Sequence, residues 1–153
     1  MSRKWWLISL VFLIIIAVII GYYLFKHKKT GQVIIGGKTL NVELAQSENE
    51  YAKGLSGRDN LDASSGMLFV FPKSNIYTFW MKDTKIPLDI IWLAPSKVEG
   101  MYKIVEMTTL TSQNDNDIPQ FTPKIPANYV LELNAGFVDK NNIKVGDEVE
   151  IKI

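Results

Sequence analysis

The chain has 153 residues, and its 17 Lys and Arg against 16 Asp and Glu give a formal net charge of +1. That average hides a division, because residues 1–29 hold five bases and no acid, which leaves residues 30–153 with 12 bases against all 16 acids, a net of −4. The second region is the size of one domain with a substantial core, and the absence of Cys excludes a disulfide framework, a thiolate zinc site, a thiol nucleophile and a lipidated cysteine.

From Trp5 to Phe25 the chain runs 21 residues without a charge. At about 1.5 Å per residue such a helix spans roughly 31 Å, close to a hydrocarbon core of about 30 Å. Trp5 and Trp6 at one end, and Tyr22, Tyr23 and Phe25 at the other, are the residues that favour a membrane interface. A cleaved signal peptide would have a shorter apolar stretch and small residues at a cleavage site, which Tyr22-Tyr23-Leu24-Phe25-Lys26 does not supply. Residues 1–29 therefore read as an uncleaved signal anchor with basic flanks, and residues 30–153 as the domain it carries. Arg3, Lys4 and the amino terminus oppose Lys26, Lys28 and Lys29, so flanking charge barely sets orientation. The anchor's position at the extreme amino terminus favours a short stub inside and an extracytoplasmic domain, with the tract Lys26-His27-Lys28-Lys29 against anionic headgroups.

Within the domain, Val33-Ile34-Ile35, Gly36-Gly37 and Lys38 to Leu44 predict a hairpin with a two-residue glycine turn. Ser47 and Glu50 form a capping-box pattern opening a short helix that Gly54 ends. Met67-Leu68-Phe69-Val70-Phe71 reads as a strand buried on both faces and closed by Pro72. Ile76 to Met81 and Ile86 to Leu93 read as two more strands around a turn at Lys82-Asp83-Thr84-Lys85, and Ala94-Pro95-Ser96 begins the next turn. Met101 to Leu110 alternates imperfectly. Thr111 to Asn128 carries three prolines, no periodicity and the tract Asn114-Asp115-Asn116-Asp117, and is expected to be a long functional loop. Tyr129 to Leu133 predicts a strand, Asn134 to Ile143 a short helical turn, Lys144 to Asp147 a tight turn, and Glu148 to Ile153 a half-exposed strand. About eight short strands, one or two short helices and no helix-length crossovers exclude a parallel α/β architecture and predict a mostly-β, antiparallel barrel or sandwich.

Much chemistry is excluded. His27 is the only histidine and lies in the basic flank, so the domain has no imidazole general base and no histidine or cysteine metal set. Gly54-Leu55-Ser56-Gly57 is neither a nucleophile elbow nor a phosphate loop. The acidic domain argues against nucleic acid, which needs clustered Lys and Arg. Asn114 to Asp117 lacks the glycine and closing glutamate of a calcium loop. Trp80 could stack on a flat ligand and Met67 with Met81 could offer thioethers to cuprous copper, but aromatic and Met residues in strands are ordinarily core. No metal, cofactor or catalytic residue is assigned. Asp89 interrupts the apolar run Leu88-Ile90-Ile91-Trp92 and must be paired if buried, to Arg58, Lys82 or backbone amides. Asp83 is either a turn residue or, with Asp89, half of an acid/base pair of glycosidase type.

The motifs Gly54-Leu55, Gly57-Arg58, Gly66 to Phe71, Phe79 to Thr84, Ile86 to Ile91, Val130 to Gly136 and Gly146-Asp147, in that order over residues 33–153, resemble the domain of unknown function 192 family. The resemblance implies a small mostly-β domain, often secreted or behind one hydrophobic segment in prokaryotes, with no established activity. The family commonly shows Met- and Phe-like residues where this chain has Ser56 and Asp59, and Asn where it has Asp83, which weakens a catalytic Asp83. Arg58, Trp80, Lys82, Thr84, Asp89 and Glu132 match the motif, and with Asp83 they form the candidate ligand-binding set.

The expected function is an anchored binding or accessory module. Arg58, the Trp80 to Thr84 turn and Asp89 would form a pocket for a small polar ligand or a protein segment, and the loop at 111–128 would be its lid. The alternatives are an enzyme on carbohydrate or cell-envelope substrate using Asp89 with Glu132 or Asp83, and a purely structural module.

Overall fold

A computed structural model describes residues 3–26, 29–112 and 118–153, with the side chains of residues 3, 4 and 22–26 outside that description. The readings placed on His27, Lys28 and Asn114 to Asp117 therefore lie outside the described residues. Helix α1, Arg3–Lys26, has 24 residues, is apolar on every face, and exposes each described side chain from 5 to 21. Among the described residues no helix is long and apolar enough to cross a membrane.

Strand β1 (Thr30–Ile35) turns through Gly36 and Gly37 into β2 (Lys38–Ala45). Their φ values of 55° and 72° are the left-handed pair that a two-residue hairpin needs, so two glycines there carry no steric cost. Helix α2 (Glu48–Lys53) opens at Ser47 and closes at Gly54. Its capping box is half made: the Glu50 carboxylate accepts from Gln46 N and Ser47 Oγ, both at 2.8 Å. The Gln46 amide, then the Ser47 hydroxyl, hold the Glu50 pKa below its usual value. Then follow β3 (Ser65–Asn75), β4 (Phe79–Trp80), β5 (Leu88–Pro95), β6 (Met101–Leu110), β7 (Gln120–Phe121), β8 (Ala127–Asn134), the single-turn α3 (Phe137–Lys140) and β9 (Glu148–Lys152).

Seven strands close a barrel in the order β1-β2-β3-β8-β5-β6-β9, with β9 returning to β1, while β4 and β7 pair as a small separate sheet. The mostly-β barrel agrees with the sequence reading, with four corrections. The β2–β3 pair is parallel, joined through α2 and the loop after it, so the barrel is not purely antiparallel. The run Ile76 to Met81 supplies only a two-residue strand, because it pairs with β7 alone. Residues 111–128 are not one loop, since β7 and the start of β8 lie within them. Strands run on through two prolines: Pro72 sits where the β3–β8 register shifts between Val70 and Asn75, and Pro95 is the last residue of β5.

Two cores flank the sheet. The lumen takes side chains from all seven barrel strands, among them Val33, Leu40, Leu68, Ile91, Ile104, Leu131 and Val149. The outer face of β3, β8 and β5 forms the second core: Met67, Phe69, Phe71, Ile90, Trp92 and Val130 pack beneath Leu55, Phe79 and Met81. Strands β3, β5 and β8 are therefore buried on both faces, as the continuous apolar run at Met67 to Phe71 indicates. The indole of Trp92 donates to the Tyr77 carbonyl at 2.9 Å, which ties the segment before β4 onto this outer core.

Candidate functional site

The outer core is incompletely covered, and the gap is a cleft of about 360 Å³. Helix α2 and the following loop form one side through Glu48, Tyr51, Lys53 and Gly54 to Ser56. Tyr77 to Trp80 and Thr84 form the other, and Phe69, Phe71 and Glu132 lie between them. The aromatic rings are mutually packed: Phe71 stacks on Tyr77 at 3.6 Å and meets Tyr51 tilted by 40° at 4.6 Å, and Phe69 meets Phe79 edge-on at 4.8 Å. The Tyr51 hydroxyl donates to the Val70 carbonyl at 2.6 Å, fixing α2 to β3.

Glu132 is the polar centre of this cleft. Its position on β8, between Leu131 and Leu133 of the lumen, turns its side chain to the outer face, where it is 4 % exposed. Its Oε2 has no hydrogen-bond partner. Burial pushes the carboxyl up to about 8, against a smaller opposing pull from the Arg58 guanidinium. A Cβ added at Gly54 would stand 3.7 Å from Oε2 and 3.3 Å from Phe69, so the loop after α2 packs closely over Glu132.

The other candidate residues are distributed differently from the expected pocket. Trp80, half exposed, and Thr84 line the cleft. Arg58 does not line it; its guanidinium grips Glu43 of β2 through two bonds of 2.8 and 2.6 Å, which raises its pKa further. Lys82 and Asp83 form an exposed turn whose backbone is the functional part: Lys82 O accepts from Ser56 Oγ and Asp83 O from Gly57 N, each at 2.8 Å. These bonds hold the loop after α2 against the turn. Asp83 has φ of 53°, a conformation Asn and Asp tolerate better than most residues.

Asp89 lies on the opposite face of the sheet. It follows Leu88 and precedes Ile90 of the outer core, so it points to the lumen end, buried to 1 %. Its Oδ1 accepts from Thr109 Oγ1 at 2.6 Å and its Oδ2 from Val138 N of α3 at 2.9 Å. The anticipated partners Arg58 and Lys82 are replaced by a hydroxyl and the backbone amide. Asp89 and Glu132 thus face opposite sides of one sheet and cannot flank a common bond, and the expected pocket of Arg58, Trp80 to Thr84 and Asp89 does not form.

No described residue of the 111–128 segment lines the cleft, so the described part of that segment is not its lid. Phe121 instead packs near Trp92, with ring centroids 5.4 Å apart. Sequence reasoning did not pick out Tyr51, Phe69, Phe71, Tyr77 and Phe79 as lining residues. Their signal is the spacing of two in 69/71 and 77/79, which puts each pair on one face.

The model of the domain of unknown function 192 family, described as an uncharacterized ACR, matches residues 31–151. A protein of Sinorhizobium meliloti 1021, provisionally described as a transcription regulator, is 31 % identical with a TM-score of 0.69, over 81 % of this chain and 95 % of that one. A protein of unknown function from Novosphingobium aromaticivorans DSM 12444 is also 31 % identical, with a TM-score of 0.66 over 80 % and 84 % of the two chains. No protein with a curated description matches. With the matched region spanning the barrel and both walls of the cleft, the chain belongs to the domain of unknown function 192 family.

Proposed function

We propose that the protein is a membrane-tethered binding module whose anchor is residues 5–25 and whose cleft beside α2 holds a small molecule. The observation that carries the binding role is Glu132: a buried carboxylate with one oxygen unpartnered, opening into a cleft of about 360 Å³ with aromatic walls. A buried polar group left unsatisfied costs stability, and apolar clefts with a few convergent polar groups are the usual form of ligand sites. The ligand is partly apolar, in keeping with the walls, rather than the wholly polar one the sequence suggests. A screen of small fragments by ligand-observed NMR against the full chain in detergent tests this. Binders lost in Ala52→Trp, which fills the cleft mouth, are expected; an absence of binders, or binders indifferent to that substitution, would sink the reading.

The anchor rests on the 21 uncharged residues from Trp5 to Phe25, which lie within helix α1, and on Ser9, whose hydroxyl is satisfied by the Trp5 carbonyl at 3.1 Å. The domain is proposed to lie on the extracytoplasmic side. Alkaline carbonate extraction should leave the full chain in the membrane pellet, and release into the supernatant would refute the anchor. A nucleic-acid role, which the description of the Sinorhizobium meliloti protein suggests for that protein, has little support in a domain of net charge −4.

A further inference from the structure

Resting on the cleft as the binding site, we infer that its ligand is an organic cation, a small ammonium whose charged nitrogen pairs with the Glu132 carboxylate and whose apolar part lies along the aromatic wall. Three observations converge on this class. Glu132 Oε2 is buried without a donor, so a ligand that supplies positive charge gains an interaction the protein itself leaves unmade. The nearest fixed cation, Arg58, cannot supply it, because Glu43 holds both of its terminal nitrogens. The walls are Tyr51, Phe69, Phe71, Tyr77, Phe79 and Trp80, and aromatic rings attract cations by their quadrupoles as well as covering apolar surface.

The surrounding charges agree. Helix α2 contributes Glu48 and Lys53 to the lining, and burial, with the Glu48 charge second, raises the pKa of both the Tyr51 and Tyr77 phenols. The turn beyond Thr84 carries Lys82 and Asp83 on its exposed side, and β3 and β5 present Met67 and Ile90 opposite Glu132. With Glu132 ionised, the lining holds two carboxylates and one ammonium, which disfavours an anion. A neutral alcohol can bond the protonated carboxyl but does not draw out its proton, so it gains nothing from ionisation of Glu132.

In the empty cleft the Glu132 carboxyl keeps its proton up to about pH 8. Entry of a cation therefore expels that proton, and affinity must rise with pH until the carboxyl is already ionised. A neutral ligand that accepts from the protonated carboxyl would show the opposite trend.

The test is isothermal titration of the full chain in detergent with 2-phenylethylammonium and its neutral isostere 2-phenylethanol, from about pH 6 to about pH 9. The amine is expected to bind at least about tenfold tighter than the alcohol above pH 8, gaining about tenfold per pH unit below that point and levelling off above it. Glu132→Gln should abolish both the preference and the rise. An alcohol that binds as well as the amine, an affinity that does not rise with pH, or an amine that binds Glu132→Gln unchanged would each overturn the cation. If the bound probe is then still lost in Ala52→Trp, the cleft survives as a site for another class. Failure of both probes to bind also overturns the cation, while the fragment screen decides the cleft separately. The pH series on the unsubstituted chain stands whether or not Glu132→Gln folds.

Discussion

Two buried carboxylates sit on neighbouring strands, and their surroundings give them opposite roles. Asp89 is satisfied: one oxygen takes the Thr109 hydroxyl and the other the Val138 amide, so it fastens α3 over the end of the barrel. Asp89→Asn keeps one acceptor but sets an amide N–H₂ against one of the two donors. The expected cost is about 1–3 kcal/mol, read as a lower melting temperature with binding in the cleft unchanged. A loss of probe binding without a loss of stability would contradict the assignment of Asp89 to the lumen. Glu132 has an unpartnered oxygen, and burial holds its folded pKa at about 8, above the ordinary carboxyl value of 4.5. Between those values the unfolded chain releases a proton that the folded chain retains, so stability falls as pH rises from about 4.5 to about 8 and is flat beyond. At about 1.4 kcal/mol per unit the total is at most roughly 5 kcal/mol. Glu132→Gln removes this titration. Thermal melts across the range should show the variant gaining on the parent as pH increases, and parallel curves would refute the buried ionisable role. Asp83 shows why a matching motif position need not be chemical. Its φ of 53° suits Asn or Asp for backbone reasons, so the position needs no reactive carboxylate to account for its residue.

Strand β3 lies tightly between β2 and β8. Gly66 pairs with Val42, and a Cβ there would stand 2.8 Å from the Glu132 carbonyl and 2.7 Å from Leu133 Cδ2. Because one obstruction is backbone, side-chain repacking cannot relieve it. Gly66→Ala should push β3 off β8 at a cost of about 1–3 kcal/mol, measurable as a lower denaturation midpoint, with weaker probe binding because β3 carries Phe69 and Phe71 into the cleft. An unchanged midpoint would mean the β3–β8 spacing is looser than these distances imply. Such close approaches are invisible in sequence, whereas periodicity and turn chemistry are not. The Gly36-Gly37 hairpin, the short helix from Ser47 to Gly54 and the doubly buried run at Met67 to Phe71 were all readable, since each is dictated by local conformation or by alternation. The parallel β2–β3 pairing was not, because nothing local distinguishes a strand that returns parallel after α2 from one that turns back. The β4–β7 pair escaped for a related reason: two-residue strands lack a period, and their pairing is set by packing of Phe79 and Phe121 on Trp92. The cleft was partly legible. Glu132, Trp80 and Thr84 could be named, but the faces of Asp89 and Glu132 depend on which core each strand serves, and the engagement of Arg58 by Glu43 is a contact between distant segments.

At the scale of the whole molecule, +5 on residues 1–29 and −4 on residues 30–153 give the two regions opposite signs. If residues 5–25 anchor the chain as proposed, the basic residues flanking that span would favour anionic headgroups and the acidic domain would be weakly repelled from them. Orientation is the more finely balanced quantity. Arg3, Lys4 and the terminal amine stand on one side of the span and Lys26, Lys28 and Lys29 on the other. Flanking positive charge near a first helix biases its side toward the cytoplasm, and here the two sides nearly cancel. Small changes should therefore move the distribution. Arg3→Gln with Lys4→Gln leaves three lysines against one amine, and is expected to shift most chains to the orientation with the domain inside. Lys28→Gln with Lys29→Gln should do the reverse and make the extracytoplasmic form uniform. Protease added to intact cells reads both: the domain of the parent chain is degraded, that of the first variant is largely protected, and that of the second is fully accessible. Protection of the parent domain would place the cleft in the cytoplasm. Insensitivity of all three chains to these charges would mean that something other than the flanks of α1 sets its orientation.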